Sequence, residues 1–298
     1  MNQATIPLAA AAPARNTNAS GNVAGNSIGG LLLESGKITP EGAERILRMQ
    51  KELGIRFGEA AQRLGLVTEA DIQQVLARQF DYPYLQLGEG KFSSHLVAAY
   101  QPFSPQVEAL RAVRSQLMLR WFARGHKSLA VMSARPGEGA SLFAANLAVV
   151  FSQLGEQTLL VDANLRQPRQ HEIFNLQQRQ GLSDLLAGRA DLGVINRIES
   201  FVDLSVLGSG TLPPNPQELL GRDGFAGLHA QAESRYDVVL YDVPAGASGS
   251  DALAVASKAG GVLLVARKDV TPASAISVLS DQLAQNGVQI VGAVMVSH

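Results

Sequence analysis

Apolar positions along the chain fall into two regimes. From residue 129 onward, short apolar runs recur at 129–132, 158–161, 204–207, 238–241, 262–265 and 290–294. Longer stretches of helical pattern lie between them, at 141–154, 216–232, 250–258 and 272–285. Continuous apolar strands alternating with helices predict a parallel sheet buried on both faces. A further helix, opened by Ser104-Pro105 and reaching about Phe122, precedes the first strand.

Before residue 80 the pattern is helical, and it repeats. Ser27, Gly29, Gly36, Ile38, Ala43, Leu47 and Gln50 are matched by Arg56, Gly58, Gly65, Val67, Ile72, Leu76 and Gln79, each 29 positions later. A constant offset of this kind marks a duplicated unit. Each copy reads as a short helix, a glycine turn and a longer helix. Thr39-Pro40-Glu41 and Thr68-Glu69 supply the helix starts, a capping hydroxyl followed by proline or acid. The chain therefore divides into a tail at 1–26 expected to be disordered, a small all-helical duplicated domain at 27–86, a linker at 87–103 and an α/β domain at 104–298.

Composition narrows the partners. The chain has 298 residues, 46% of them hydrophobic, which suffices for a sizeable core in each domain. A formal net charge of -1 gives no electrostatic basis for nucleic-acid binding. No cysteine is present, which excludes disulfides and thiolate metal sites and suits the cytoplasm. No apolar run reaches the ~18–20 residues needed to cross a bilayer. The apolar stretch at 6–14 is interrupted by Pro7 and Pro13 and has no basic residue before it, so no secretory leader is expected.

The candidate chemistry sits at strand ends. The run 130–133 leads into Ala134-Arg135-Pro136-Gly137-Glu138-Gly139-Ala140-Ser141 and then a helix. That is the layout of a phosphate-binding loop, in which backbone N–H groups and a helix N-terminus face an anion. Against the spacing G-x-x-x-x-G-K-[ST], Gly139 takes the second glycine, Ser141 the hydroxyl, and Ala140 the lysine position. Two further apolar runs end in aspartate, at Asp162 and Asp242. An aspartate ending a strand beside such a loop orients Mg²⁺ or its waters. The loop residues 136–141 are thus candidate phosphate ligands, and Ser141, Asp162 and Asp242 candidate metal ligands. Glu108, Arg111 and Arg114 form one charged stripe on the helix after Ser104.

These residues, in this order, resemble the bacterial tyrosine kinases of exopolysaccharide export. The likeness covers about 104–298 and rests on the stripe, the loop 133–139, the string Asp162-Ala163-Asn164-Leu165-Arg166, the string Tyr236 to Asp242, and Leu212-Pro213-Pro214-Asn215-Pro216-Gln217-Glu218-Leu219-Leu220. The resemblance implies ATP or ADP with Mg²⁺ as ligands, and Asp162 as base or metal-water ligand with Asp242 beside it. It further implies a homo-oligomer joined through Glu108, Arg111 and Arg114. A separate membrane polysaccharide copolymerase would be the partner, holding a cytoplasmic protein at the inner membrane. Residues 27–85, including Phe80 to Leu85, resemble the N-terminal domain of type II secretion and pilus ATPases. Some of those bind cyclic di-GMP through paired arginines; here Arg56 is kept and Ser27 replaces its counterpart.

The sequence departs from the kinase pattern at four places. Ala140 replaces the lysine, Asn164 stands where a second aspartate is usual, Val296 replaces an asparagine, and no tyrosine cluster follows the last strand. Losing one stabiliser of transition-state charge costs ~10²–10³-fold in rate. The expectation is a nucleotide-binding kinase-family protein that regulates polymer length with impaired phosphotransfer. Arg135, at the position where the related MinD and ParA ATPases place a second lysine, is the candidate replacement cation. The alternatives are an active kinase working in trans and a non-catalytic docking or cyclic di-GMP-sensing module.

Overall fold

The structure, a computed structural model, describes residues 27–79, 84–85 and 90–297. The tail at 1–26, Phe80–Pro83 of the secretion-ATPase likeness and 86–89 of the expected linker lie outside the described residues. The chain forms two compact units that divide between Asp81 and Tyr82.

The first unit is four helices, α1 (Ile28–Glu34), α2 (Pro40–Leu53), α3 (Phe57–Arg63) and α4 (Glu69–Gln79). The duplication shows in its turns: Gly36 and Gly65 both take left-handed backbone, at φ 67° and 65°, where a side chain would be strained. Ser27 Oγ caps α1 by accepting from Gly30 N–H at 3.2 Å, and Thr39 caps α2 through Gly42 N–H at 3.1 Å. At α4 the cap is reciprocal. Thr68 Oγ1 accepts from Asp71 N–H at 3.2 Å while Asp71 accepts from Thr68 N–H at 2.9 Å. Lys37 closes on the same carboxylate at 2.7 Å. Its hydrogen bond, with those from Thr68, holds Asp71 below the usual carboxylate range. The unit's core is small, built on Leu32, Ile46, Ala60 and Ala61.

The second unit opens with α5 (Val97–Tyr100) and α6 (Pro105–Arg120). Then come β1 (Ser128–Ser133), α7 (Ala140–Ser152), β2 (Thr158–Asp162), α8 (Gln170–Ile173), α9 (Leu182–Leu186), β3 (Asn196–Arg197) and β4 (Leu204–Leu207). The chain continues through α10 (Pro216–Gly221), α11 (Asp223–Arg235), β5 (Val238–Asp242), α12 (Asp251–Ala259), β6 (Gly261–Arg267), α13 (Ala273–Gln285) and β7 (Gln289–Val296). The strands form one sheet in the order β3-β4-β2-β5-β1-β6-β7. All neighbours are parallel except β3 against β4. Side chains alternate across it: Leu129 and Val131 join the core under α7, Ala130 and Met132 the core under α12 and α13. From β1 the chain crosses to β2, β3 and β4 on one side, returns through β5 between β2 and β1, and then passes to β6 and β7 on the other side, so the sheet switches direction beside β1. Ligands of such sheets bind at the carboxyl ends next to that switch.

Three expectations change. Helix 216–232 is two helices, because Arg222 has extended backbone (φ -77°, ψ 159°) and interrupts the run. The short edge strand β3 was not expected, having only two residues and no apolar run. The expected linker is, over 90–103, a packed part of the second unit. Its Leu96, Ala98 and Ala99 are fully buried. The cause lies in α7, which is apolar on nearly every side and needs cover on the face away from the sheet. Asn146, the polar residue in that face, fixes the cover. It accepts from Ala98 N–H at 2.9 Å and donates to His95 O at 3.2 Å, while Gln153 donates to Ala98 O at 3.0 Å.

Candidate functional site

The loop between β1 and α7 has the backbone that a phosphate cradle needs. Gly137 and Gly139 sit at φ 80° and 91°. Both lie where L side chains rarely go, which is why these positions are glycine. Gly139 is also the N-cap of α7 and offers no side-chain acceptor, so the helix's first N–H groups have no side-chain cap. They and the helix dipole present positive potential to an anion. A cavity of about 520 Å³ opens there. Residues 136–141 line it from one side, Asn164, Arg166, Gln167 and Arg169 from another, and Arg267 from the end of β6.

The loop is held from beneath. Glu138 is buried, 2% exposed. One of its oxygens accepts from Arg135 N–H at 3.0 Å and the other from Thr271 Oγ1–H at 2.7 Å. Thr271 in turn accepts from Arg267 N–H at 2.7 Å. Glu138 is thus a structural tie that fixes the loop to the β6–α13 turn. Arg135 is exposed, and its side chain is not among those lining the cavity.

Asp162 and Asp242 stand opposite one another on adjacent strands and are both fully buried. Ser141 Oγ donates to Asp242 Oδ1 at 3.1 Å. Asp162 Oδ2 accepts from the backbone N–H groups of Arg169 and Gln170, at 3.0 and 2.9 Å. Gln170, absent from the sequence reading, is buried at the centre. Its Nε2 donates to Asp242 Oδ2 at 2.8 Å and to Ser141 O at 3.0 Å. Two acceptors, Asp162 Oδ1 and Gln170 Oε1, are buried with no hydrogen-bond partner. Buried acceptors left unpaired are costly. Acceptor oxygens gathered beside a phosphate cradle fit a hard cation such as Mg²⁺, which takes one or two carboxylates and keeps waters and phosphates as its other ligands. Among the described residues there is no cluster of three or more His, Cys, Asp or Glu suited to a metal held by protein alone. Asn164 accepts from Gln167 N–H at 3.1 Å and so shapes the turn after β2.

Burial pushes both carboxyls up: Asp242 to about 6, Asp162 also above the usual range, with the Asp242 charge adding to burial. The sign for stability follows. An acid whose folded pKa exceeds its unfolded value binds more protons when folded, so stability falls as pH rises between the two. For Asp242 that window runs from 3.8 to about 6. Without Mg²⁺, the melting temperature of the wild type should fall relative to Asp242→Asn as pH rises from 4 to 7. Added Mg²⁺ should stabilise the wild type more at pH 7 than at pH 4.5. Parallel melting curves for the two proteins across that range would contradict this account.

The other candidates are placed as follows. Glu108 and Arg111 pair at 3.0 Å on the outer face of α6. Arg114 turns inward and donates to Val150 O at 2.7 Å, capping the last turn of α7. In the first unit, Ser27 is used as a helix cap, whereas its counterpart Arg56 is exposed and makes no side-chain cap at α3. No helix among the described residues is long and apolar enough to cross a membrane.

Comparison with known proteins places the second unit. The model of the family described as cellulose biosynthesis protein BcsQ matches residues 126–291. Tyrosine-protein kinase YwqD of Bacillus subtilis is 34% identical over 205 residues, covering 69% of this chain and 86% of YwqD. Tyrosine-protein kinase wzc of Salmonella typhimurium is 33% identical over 202 residues, covering 68% of this chain but only 28% of that protein. This chain therefore spans under a third of the length of the Salmonella relative. The solved kinase domain of the Escherichia coli tyrosine kinase ETK superposes with a TM-score of 0.65 at 34% identity, covering 68% of this chain and 79% of that one.

Proposed function

This chain belongs to the bacterial tyrosine-protein kinases, and from that membership we propose that it is a nucleotide-binding kinase-family protein of exopolysaccharide synthesis whose phosphotransfer is weakened. The carrying observation is an intact cradle around a missing amine. Gly137, Gly139, Ser141, Asp162 and Asp242 stand in working relation, while Ala140 occupies the lysine position. ATP or ADP would lie along residues 136–141, with Mg²⁺ held by Ser141 and Asp242 and reached by Asp162 directly or through water. When bound, Mg²⁺ supplies charge neutralisation to the phosphates. Asp162 would accept the proton of an incoming tyrosine hydroxyl as general base.

Substrate tyrosines would come from other molecules. Among the described residues Tyr84 and Tyr236 are half-buried and the other tyrosines buried. Tyr241 is buried in β5 with its hydroxyl 2.9 Å from His229 Nδ1, and Tyr100 is buried with its hydroxyl accepting from Phe92 N–H at 3.1 Å. The protein would work in the cytoplasm beside a membrane copolymerase that brings it to the polymer-export site and whose chain-length control it serves. Self-association would use Glu108 and Arg111, with Arg114 bracing α6 on α7.

Calorimetric titration with Mg·ATP and Mg·ADP, followed by phosphotransfer to a tyrosine peptide, tests this. The expected result is measurable binding with turnover ~10²–10³-fold below a lysine-bearing relative. Absence of binding at millimolar nucleotide would reject the reading in favour of a docking module. Turnover equal to the relative's would establish an active kinase acting in trans.

A further inference from the structure

The cavity at Ala140 is lined by three guanidinium groups, and their partners distinguish them. Arg166 is held by the buried Asp251 through two bonds, at 2.6 and 3.1 Å. Arg169 Nε is paired with Glu172 at 2.9 Å. Arg267 lines the same cavity, and among the described residues no carboxylate pairs with it. Its Nη1 donates to Gly137 O at 3.4 Å, a long hydrogen bond to the middle of the phosphate loop.

The position of Arg267 follows from the sheet. β6 runs parallel to β1 with Val265 opposite Ser133, so Arg267 extends two residues beyond the point where β1 gives way to the loop. The backbone there is fixed: Arg267 N–H donates to Thr271 Oγ1, and Thr271 donates to the buried Glu138 of the loop, each at 2.7 Å. A half-buried arginine is thus anchored at its backbone and lightly held at its tip. Its planar fork, always charged, suits phosphate oxygens.

We propose that Arg267 is the cation of this phosphate loop, engaging the nucleotide's phosphates in place of the amine that Ala140 lacks. The assignment rests on the nucleotide reading above. It places the charge on the neighbouring strand β6 instead of on helix α7, and within the same subunit.

Two cations serving the same phosphates should be non-additive, and a double-mutant cycle reads this directly. Mg·ATP affinity is measured by calorimetry on the full chain for the wild type, Arg267→Ala, Ala140→Lys and the double variant, with melting temperatures confirming folding. Arg267→Ala should weaken binding at least tenfold, and Arg267→Lys should retain most of it. In the Ala140→Lys background the same Arg267→Ala change should cost less than threefold. Wild-type affinity unaffected by Arg267→Ala overturns the assignment alone, as does an equal loss in both backgrounds. A wild type with no affinity for Mg·ATP overturns the nucleotide reading and this assignment together.

Discussion

Ala140→Lys should raise the rate of tyrosine phosphotransfer by about 10²–10³-fold, the usual worth of one preorganised charge at a transferring group. The scaffold permits it. Ala140 is the first residue of α7, lines the cavity and has about 520 Å³ of space in front of it. A lysine there needs no change in the loop, whose two left-handed glycines and Glu138 tie are independent of residue 140. Without nucleotide the new amine would sit unfavourably at a helix N-terminus, costing ~0.3–1 kcal/mol. The variant should therefore melt slightly lower alone and gain more from Mg·ATP than the wild type. If Arg267 already supplies charge to the phosphates, the rate gain lies toward the lower end of the range. Single-turnover phosphorylation of a tyrosine peptide measures the effect. An unchanged rate would move the defect to Asn164, where one carboxylate fewer faces the metal.

Trp121→Ala should lower the stability of the second unit by ~3–5 kcal/mol, the range for deleting a large buried aromatic side chain. Trp121 is 1% exposed and joins three parts of the fold at the foot of the sheet. Its ring stacks on His126 with centroids 3.7 Å apart and planes 6° from parallel. Its Nε1–H donates to Ser128 O at 2.8 Å, at the first residue of β1. Its far edge fills the space beside Gly261, where an added Cβ would come within 2.5 Å of the ring, so β6 begins with glycine. Alanine leaves a cavity and an unpaired carbonyl together. Trp121→Phe keeps most of the volume and should cost less, with the lost hydrogen bond contributing ~1 kcal/mol of it. Urea unfolding followed by circular dichroism separates the two variants, and equal costs would show that packing contributes little.

The parts of the fold legible in the sequence are those buried on both faces. β1, β2, β5 and β6 are continuous apolar runs because helices cover each side of the sheet, and such runs stand out against any neighbour. β3 pairs through two residues at an edge and has no such signature. The segment 90–103 looked like a linker because its Gly90, Ser93, Ser94 and Pro102 are turn formers. Its burial comes from what α7 demands, which no local pattern records. The same divide runs through the site. Ser141, Asp162 and Asp242 announce themselves by their place at strand ends. Gln170 meets Asp242 across 72 positions and Thr271 meets Glu138 across 133, contacts created by the order of strands in the sheet. Arg267 was partly legible, since it ends an apolar strand as Asp162 and Asp242 do, but a basic residue there has a ready alternative as a solvated strand end.

The burial of α7 has a kinetic consequence. Covered by the sheet on one side and by α5 and α6 on the other, this helix has no cheap local opening, because exposing it means exposing most of one core. The phosphate loop leads directly into that helix and inherits its persistence. Nucleotide would then meet a cradle already in shape, with no folding step ahead of capture. Arrival would be governed by diffusion, and residence by the contacts made after it. A change of charge at residue 140 or 267 would thus show mainly in how long a nucleotide stays, and far less in how often it enters.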